Sequence, residues 1–544
     1  MKHAHESANH PDDLVDYNLF SSNAALVDAL KREGPGGAQE RLSGLGARLG
    51  TRAMFALGDA ANRNPPALRI FDRFGHRCDE VDFHPAWHEL MRSLVAEGLH
   101  TSPWADPKPG AHVERAAAYL LWGEIETGTQ CPATMTYGAV PALARQADDF
   151  ADWLPRLLSR DYDERLAPIV QKRGALMGMG MTEKQGGSDV RSNTTRAVAT
   201  GTPGPGREYR ITGHKWFFSA PMCDAFLVTA QTASGVSCFF VPRVLPDGTR
   251  NAIYLQRLKD KLGNRSNASS EVEFDDTFGM MVGEEGRGIP AILEMGVYTR
   301  FDCATGAAGI MHQCLAQAIH HARHRTAFQK KLIDQPLMAS VLADLALECE
   351  AATALALRLA RAFDSRQDEA EAALQRLLTP VAKYWICKRA PLVGAEAMEV
   401  LGGNGYIEEG PIARRFRELP LNGIWEGSGN IMCLDVLRAL SREPRVFEVL
   451  AALLQRPGSR DVRLDQYVAR LLVDLRGGAG GEASARLLTE RIALAVQGAI
   501  LLEGEAPIAE AFLTSRIVQG APGAFGVLPA GLDHGALIGR AFTP

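Results

Sequence analysis

The chain has 544 residues, of which 46% are hydrophobic and 23% charged, with a formal net charge of −5 and a pI near 6.3. This is the composition of a globular protein, long enough for three or four sub-domains with cores of their own. The total charge indicates neither a nucleic-acid nor a membrane partner, although it leaves room for a local basic patch.

The sequence carries neither a membrane span nor a disulfide framework. No stretch approaches the ~18 consecutive apolar residues that a membrane span needs, and the start MKHAHESANHPDD lacks the apolar run of a signal peptide. The nine cysteines stand singly without a CxxC pair, which fits reduced thiols rather than disulfides or a zinc site. We therefore expect a cytoplasmic protein with no bound metal and no membrane contact.

The pattern of apolar residues changes twice along the chain. From about Leu14 to Ile169 it is mainly helical, as in WHELMRSLVAEGL, and from about Met177 to Val282 short β-rich runs such as AFLVTAQT alternate with turn residues. Helical character then returns, and the nearly apolar run LMASVLADLALECEAATALALRLARAF predicts a helix buried among others. We expect a mainly α, α+β chain with four domains: an N-terminal helical domain (1–175), a middle β domain (176–290), a helical bundle (291–437) and a C-terminal helical extension (438–544). Within the extension, RGGAGGEA and APGAFG predict flexible connections.

Two motifs of the predicted β domain could bind a ligand. Met177–Asp189 (MGMGMTEKQGGSD) is a Gly-rich turn that offers backbone N–H groups and the hydroxyls of Thr182 and Ser188, although a plain connecting loop explains it too. Gly213–Ser219 (GHKWFFS) offers adjacent aromatic rings and a hydroxyl to a planar ligand. Alternatively, Trp216 and Phe218 fill the core on one face, and because strand alternation sends neighbours to opposite faces, both roles can hold at once.

The third motif, Gly423–Asn430 (GIWEGSGN), follows Leu401–Tyr406 (LGGNGY). Glu426 lies in a turn next to apolar bulk, where partial desolvation would raise the pKa of its carboxyl and suit it to act as a base towards a carbon acid. A helix-capping role for Glu426 is the plainer alternative.

Together these motifs carry a family resemblance. In order and spacing, over roughly residues 50–437, the chain resembles the acyl-CoA dehydrogenase family. Its opening DYNLFSSN, the KWFFSAP run and the C-terminal extension resemble the AidB branch, which is associated with the bacterial response to DNA alkylation. The resemblance implies the acyl-CoA dehydrogenase fold, non-covalent FAD, an acyl-CoA-like substrate and a homotetramer.

The resemblance also implies a set of site residues. It places FAD contacts at Met181, Thr182, Ser188, Trp216, Phe217, Phe218, Ser219, Arg325, Phe328, Gln335, Gly402, Gly403, Ser428 and Asn430, with Arg325, Phe328 and Gln335 reaching a neighbouring subunit's FAD. Substrate contacts fall at Ser188, Arg300 and Gly427. Lys184 and Gln329 depart from the family's proline and glycine, and the shift of tryptophan to position 216 leaves open whether Trp216 or Phe217 stacks on the flavin.

The resemblance makes Glu426 the catalytic base. Some relatives carry the base on the helix before an arginine, but that position is Thr299 here, next to Arg300, and threonine cannot serve. Glu426 would then take the α-proton of an acyl thioester while the β-hydride passes to flavin N5.

Three functions remain open from the sequence: an acyl-CoA dehydrogenase for a short or branched substrate, an AidB-like protein that binds duplex DNA non-specifically with weak dehydrogenation, and a flavoprotein scaffold that serves only assembly. The extension holds 12 arginines, no lysine and 11 acidic residues. The simpler interpretation is therefore that these arginines form ion pairs on helix surfaces. The AidB resemblance favours DNA binding, and Arg438 and Arg516 are the candidate phosphate contacts.

Overall fold

The computed structural model describes residues 9–455, 461–477 and 481–544. The chain forms two compact units. The first, the helical unit, comprises the described parts of Met1–Phe55, Pro109–Ile125 and Cys303–Pro544, and the second, the β unit, comprises Ala56–Lys108 and Glu126–Asp302. The predicted N-terminal domain 1–175 is thus divided between the two units. Among the described residues, no helix is both long enough and apolar enough to cross a membrane.

The part of the chain before residue 160 is helical apart from one hairpin. Its elements are α1 Ala24–Glu33, α2 Ala38–Leu49, α3 Arg52–Arg63, β1 Ala67–Phe71, β2 Arg77–Asp82, α4 Pro85–Ala96, α5 Ser102–Ala105, α6 Ala111–Gly123, α7 Gln130–Ala144 and α8 Leu154–Leu157. The hairpin β1–β2 interrupts the expected helical pattern. It has no buried apolar face, since β1 alternates between exposed and half-buried residues, and so it lacks the signal by which strands are found.

The middle of the chain is β-structured, as predicted, and its strands form one seven-stranded sheet. The strands are β3 Met177–Gly180, β4 Arg196–Ala199, β5 Glu208–Ser219, β6 Ala225–Thr232, β7 Gly235–Pro242, β8 Ile253–Leu258 and β9 Ser269–Val282. They run in the order β3-β6-β4-β5-β9-β7, with β8 on β9. A β6–β7 pairing closes β6, β4, β5, β9 and β7 into a ring, with β3 outside it on β6. This closure leaves few unpaired edges.

Long helices dominate the remainder. The elements are α9 Gly288–His324, β10 Thr326–Ala327, β11 Lys330–Lys331, α10 Pro336–Asp364, α11 Glu369–Val400, α12 Gly403–Tyr406, α13 Ala413–Glu418, α14 Gly429–Arg442, α15 Pro444–Leu454, α16 Val462–Arg476, α17 Ala485–Leu501, α18 Ala506–Phe512 and α19 His534–Ala541. The predicted buried helix is α10, whose residues from Leu342 to Ala360 are all buried.

The C-terminal extension packs on the bundle. Helices α17 and α19 contact α10, and α15 and α17 contact α11. The APGAFG segment is not a loose connection: the Gly526 N–H donates to Asp344 at 2.9 Å, its carbonyl accepts from Ser340 at 3.1 Å, and Phe525 is buried. The prediction of flexibility there was wrong, because turn residues mark a change of direction rather than a lack of contacts. Within the other predicted connection, RGGAGGEA, residues 478–480 lie outside the described residues.

Candidate functional site

A buried ion pair organises the Gly-rich loop that follows β3. Glu183 is fully buried, and its carboxylate accepts from the Lys215 ammonium at 2.9 Å, from the Thr194 N–H at 2.6 Å and from the Thr195 N–H at 3.2 Å. Burial alone would raise the pKa of Glu183, but the Lys215 charge and the hydrogen bonds from Gln185 and Thr194 outweigh it and lower the pKa to about 2. The carboxylate therefore stays ionised and fixes the loop to β5.

The glycines before this loop have a packing role. A Cβ on Gly178 would lie 2.4 Å from the Phe226 ring, and one on Gly180 would lie 2.8 Å from the Phe218 ring. Phe218 is itself fully buried and packs on Phe226 with ring centroids 4.2 Å apart. Phe218, predicted among the FAD contacts, is thus a core residue whose ring has no exposed face. This agrees with the alternative interpretation for Phe218, but Trp216, which that interpretation also placed in the core, is only half-buried.

The pairing of β5 with β9 is irregular just before Phe218. The register of β5 against β9 shifts between Lys215 and Phe218, so both residues are buried while Phe217 between them is 51% exposed. The Trp216 N–H donates to the Thr182 carbonyl at 2.8 Å, which joins the loop to the strand end. Thr182 and Ser219 are half-buried and Ser188 is exposed. An open aromatic face and hydroxyls therefore stand together at one end of β5.

Cations occupy the surroundings of Trp216. The Lys259 ammonium lies 3.6 Å from its ring centroid, and Lys184 and Arg257 lie 5.5 and 5.7 Å away. Lys184 replaces the family's proline and is exposed, so the departure adds a charge next to the indole. Cation–π contacts of this kind stabilise the ring in place by about 0.5–2 kcal/mol each.

In the helical unit, the predicted base lies in a strained turn. Glu426 has φ 59° and Gly427 has φ 105°, and a left-handed conformation costs a non-glycine residue about 1–2 kcal/mol. Glu426 is half-buried. Helix α14 begins at Gly429 with Ser428 in the N-cap position, so Glu426 lies two residues before the cap.

A buried lysine holds this turn. Lys383 of α11 is 1% exposed, and its ammonium donates to the carbonyls of Asn422 at 3.0 Å and Gly427 at 2.7 Å. The Trp425 indole N–H donates to the Asn422 side chain at 2.9 Å. Sequence reasoning missed both Lys383 and the Glu183–Lys215 pair, although a lysine inside an apolar helix or strand is a usable sign of a buried charge.

Four of the predicted FAD contacts in the helical unit are exposed to solvent: Gly402, Gly403, Ser428 and Asn430. No heavy atom lies within 4 Å of a Cβ placed on Gly402 or Gly403, and Gly402 has φ 60°. Ser428 and Asn430 are exposed, and Asn430 accepts from Arg486 of α17 at 2.8 Å. The C-terminal extension thus contacts the start of α14, just after the turn that carries Glu426.

The segment predicted to reach a neighbouring subunit's FAD forms a short β-hairpin with a two-residue loop. Thr326 pairs with Lys331 and Ala327 with Lys330, and the loop residues Phe328 and Gln329 have φ 50° and 64°, as a type I′ turn requires. Gln335 donates to the Ala327 carbonyl at 3.0 Å, and Arg325 donates to the Asn9 carbonyl at 2.9 Å. Phe328 is 93% exposed.

Position 299, at which some relatives carry the catalytic base, is buried. Thr299 is 1% exposed, and its hydroxyl donates to the Gly296 carbonyl at 3.1 Å, while Arg300 beside it is half-buried in the β unit. The described residues also contain no group of His, Cys, Asp or Glu that could hold a metal ion.

The arginines of the extension are mostly engaged. Arg516 is 2% exposed and pairs with Asp344 and with Glu348, the latter at 3.2 Å. Arg516 is therefore a buried structural residue, and its assignment as a DNA contact was wrong. Ion pairs also hold Arg445, Arg463, Arg491 and Arg540. By contrast, Arg438 and Arg442 at the end of α14 are exposed, and neither forms an ion pair within the described residues.

Family comparisons agree with this geometry. Residues 9–164 match "Adaptive response protein AidB N-terminal domain", residues 178–277 "Acyl-CoA dehydrogenase, middle domain" and residues 286–441 "Acyl-CoA dehydrogenase, C-terminal domain". The "Putative acyl-CoA dehydrogenase AidB" of Escherichia coli is 51% identical and is covered to 92%, as is this chain. The chain belongs to the AidB branch of the acyl-CoA dehydrogenase family.

Two further relatives bear on the fold. "Acyl-CoA dehydrogenase family member 11" of Caenorhabditis elegans is 28% identical over 79% of this chain and 72% of that protein. The crystal structure of C. elegans ACDH-11 in complex with C11-CoA superposes with a TM-score of 0.84 at 26% identity, covering 94% of this chain and 92% of that one. The predicted fold is confirmed.

Membership of this family makes the chain an FAD-dependent oxidoreductase of the acyl-CoA dehydrogenase type. The residues present fit such a cofactor. The exposed Phe217 ring beside hydroxyls suits a planar ring system, and the open space at Gly402 and Gly403 leaves backbone free for close approach.

Proposed function

We propose that this protein oxidises an acyl-CoA thioester at the α–β bond with Glu426 as the base. The observation that carries the proposal is the left-handed backbone conformation of Glu426. Lys383 donates to the carbonyls of Asn422 and Gly427, one before and one after Glu426, and so holds the turn. Strain of this kind persists only where the surroundings impose it, and it concentrates at functional sites.

The chain's own residues would divide the work as follows. Glu426 removes the α-proton, and Lys383 fixes the backbone on either side of that carboxylate. Phe217, the more exposed of the two adjacent rings, stacks on the cofactor. The Lys259 ammonium lies near both rings, 3.6 Å from the Trp216 centroid and 4.7 Å from the Phe217 centroid. Ser219 and Thr182 hydrogen-bond to the cofactor, and Arg300, Ser188 and Gly427 contact the substrate. FAD, when bound, supplies the acceptor for the β-hydride.

An anaerobic titration tests this proposal. Acyl-CoAs with straight and branched chains are added to the FAD-loaded protein, and absorbance of the flavin band is recorded. We expect bleaching by at least one of them, with a short or branched acyl chain preferred. The C11-CoA held by ACDH-11 makes a longer chain the comparison of first choice. A flavin that none of them bleaches would contradict the proposal.

The second candidate is non-specific association with duplex DNA in an alkylation response. It is supported by the similarity to AidB and by Arg438 and Arg442 at the end of α14, which are exposed and form no ion pair with any other described residue. Such binding weakens with salt, because neutralised phosphates release counterions. In gel-shift titrations, Arg438→Gln with Arg442→Gln should lower affinity and flatten the log–log salt slope by about two.

The control for DNA binding is Arg63→Gln, which removes an exposed arginine outside the extension. It should leave the salt slope within about one unit of the wild-type value. If the wild-type protein shows no DNA binding at low salt, the DNA-binding proposal is wrong and only the dehydrogenase proposal remains.

A further inference from the structure

A pocket in the β unit lies next to the aromatic rings at the end of β5, since Lys259 lines the pocket and also lies over Trp216 and Phe217. It is formed by the segment from the end of β8 to the start of β9, with two prolines as one wall. Its lining residues are Pro65, Pro66, Leu258, Lys259, Asp260, Lys261, Arg265, Asn267 and Ala268. Pro65 is exposed, so the pocket is open to solvent on that side.

The lining carries an excess of positive charge. Three of its side chains are cations, Lys259, Lys261 and Arg265, against the single acid Asp260. Asp260 is 90% exposed and lies 3.3 Å from Arg265, so solvent screens most of that pair. Outside the lining, Glu271 is shared by Lys259 at 2.5 Å and Arg257 at 2.7 Å, and one carboxylate cannot neutralise both.

A buried amide in the lining is unsatisfied. Asn267 is 1% exposed, and within the described part of the chain neither its side-chain nitrogen nor its oxygen has a hydrogen-bond partner. Each unmet polar atom of this kind destabilises the folded state, because it has lost its hydrogen bonds to water without gaining others. A ligand that accepts a hydrogen bond from the Asn267 nitrogen would remove part of that destabilisation.

The segment around the pocket is rigidly held. Ser266 donates to the buried Glu126 carboxylate at 2.5 Å, and the Lys259 N–H donates to the Ser269 carbonyl at 2.7 Å. The Lys261 ammonium donates to the Asn267 carbonyl at 2.7 Å, which keeps its charge at the pocket. A preorganised set of donors loses little entropy when a ligand binds.

We propose that this pocket binds the phosphate group of a phosphate ester. Lys259, Lys261 and Arg265 supply the charge, and the Asn267 amide nitrogen donates to one phosphate oxygen. Several cationic donors around one small space suit a compact, multiply charged oxyanion. The pocket does not depend on the proposed roles of Glu426 or of Arg438.

Calorimetry with inorganic phosphate tests the proposal on the full-length, FAD-loaded protein at constant ionic strength. Asn267→Asp keeps the shape of the side chain and adds a negative charge, and Arg265→Gln removes a donor, so each should weaken phosphate binding about tenfold or more. Arg196→Gln is the control, because Arg196 is an exposed arginine of the β unit that does not line the pocket; it should leave binding within about twofold.

Two competitors then identify the source of the phosphate group. Displacement of phosphate by adenosine 3′,5′-bisphosphate indicates a small phosphate ester, and displacement by a short duplex indicates the nucleic-acid backbone. The proposal is overturned if the wild-type protein shows no saturable phosphate binding. It is also overturned if Asn267→Asp and Arg265→Gln, with unchanged thermal unfolding, bind phosphate like the wild type.

Discussion

The Lys383 ammonium donates to the carbonyls of Asn422 and Gly427, at 3.0 and 2.7 Å, and so holds the backbone before and after Glu426. A misplacement of about 1 Å in a reacting group can cost about 10²-fold in rate. Lys383 thus connects the core of the bundle to the position of the proposed base.

Replacing Lys383 tests that connection. We expect Lys383→Met to slow flavin bleaching by acyl-CoA about 10–100-fold while FAD stays bound, because the turn loses both donors. The rate constant at saturating substrate should fall more than the substrate affinity does. Lys388→Met on the same helix is the control, since Lys388 is exposed. Equal losses in both variants would show that the effect is not specific to the turn.

We expect the intact Glu183–Lys215 ion pair to add little to the free energy of unfolding, whereas removal of one partner should lower that free energy strongly. Removing one partner of a buried pair typically destabilises a protein by about 3–5 kcal/mol, because the other charge is left uncompensated. Glu183→Gln should therefore lower the thermal midpoint strongly, and Glu183→Gln with Lys215→Met should recover part of the loss. Additive losses, measured by thermal unfolding, would contradict the coupling.

The same carboxylate predicts a pH dependence. The pKa of Glu183 is lowered from 4.5 to about 2, so its contribution to stability is complete above about pH 4.5 and is lost as pH falls towards 2. The difference in thermal midpoint between the wild type and Glu183→Gln should thus shrink between about pH 5 and about pH 3. A constant difference over that interval would place the stabilisation elsewhere.

Much of this fold followed from sequence patterns, and the exceptions have physical causes. The β domain and the buried α10 were readable because their apolar runs are long. Strand alternation predicted opposite environments for Phe217 and Phe218, but it could not show that Lys215 is buried as well, since the register shift between Lys215 and Phe218 breaks the alternation. Arg516 looked like a surface arginine because its partner Asp344 lies 172 positions away in the chain.

The hairpin loop at Phe328 and Gln329 carries avoidable strain. Gln329 stands in a left-handed conformation, φ 64°, that glycine adopts freely. Relief of about 1–2 kcal/mol is partly offset by the larger entropy loss of glycine, so Gln329→Gly should stabilise by about 0.5–1 kcal/mol. Differential scanning calorimetry should show a higher midpoint. An unchanged or lower midpoint would mean that the loop is held by contacts to the glutamine side chain.

Phe328 tests the proposed assembly. An aromatic side chain that is 93% exposed at a hairpin tip fits a contact with another copy of the chain, where it would complete that copy's FAD site. Phe328→Ser should therefore lower the assembly state, measured by light scattering, and FAD retention together. Phe74→Ser, which changes another exposed phenylalanine at 66%, is the control. A Phe328→Ser variant that keeps its size and its FAD would contradict the cross-subunit role.

The base itself can be tested by one measurement: stopped-flow bleaching of the FAD-loaded protein by acyl-CoA, with Glu426→Gln compared with the wild type. Glutamine keeps the size of the side chain but cannot accept the α-proton, so the rate should fall about 10²–10⁴-fold with FAD content unchanged. Glu409→Gln, at an exposed glutamate outside the turn, should bleach at the wild-type rate. Equal bleaching by Glu426→Gln and the wild type would contradict the account and assign the proton to another group.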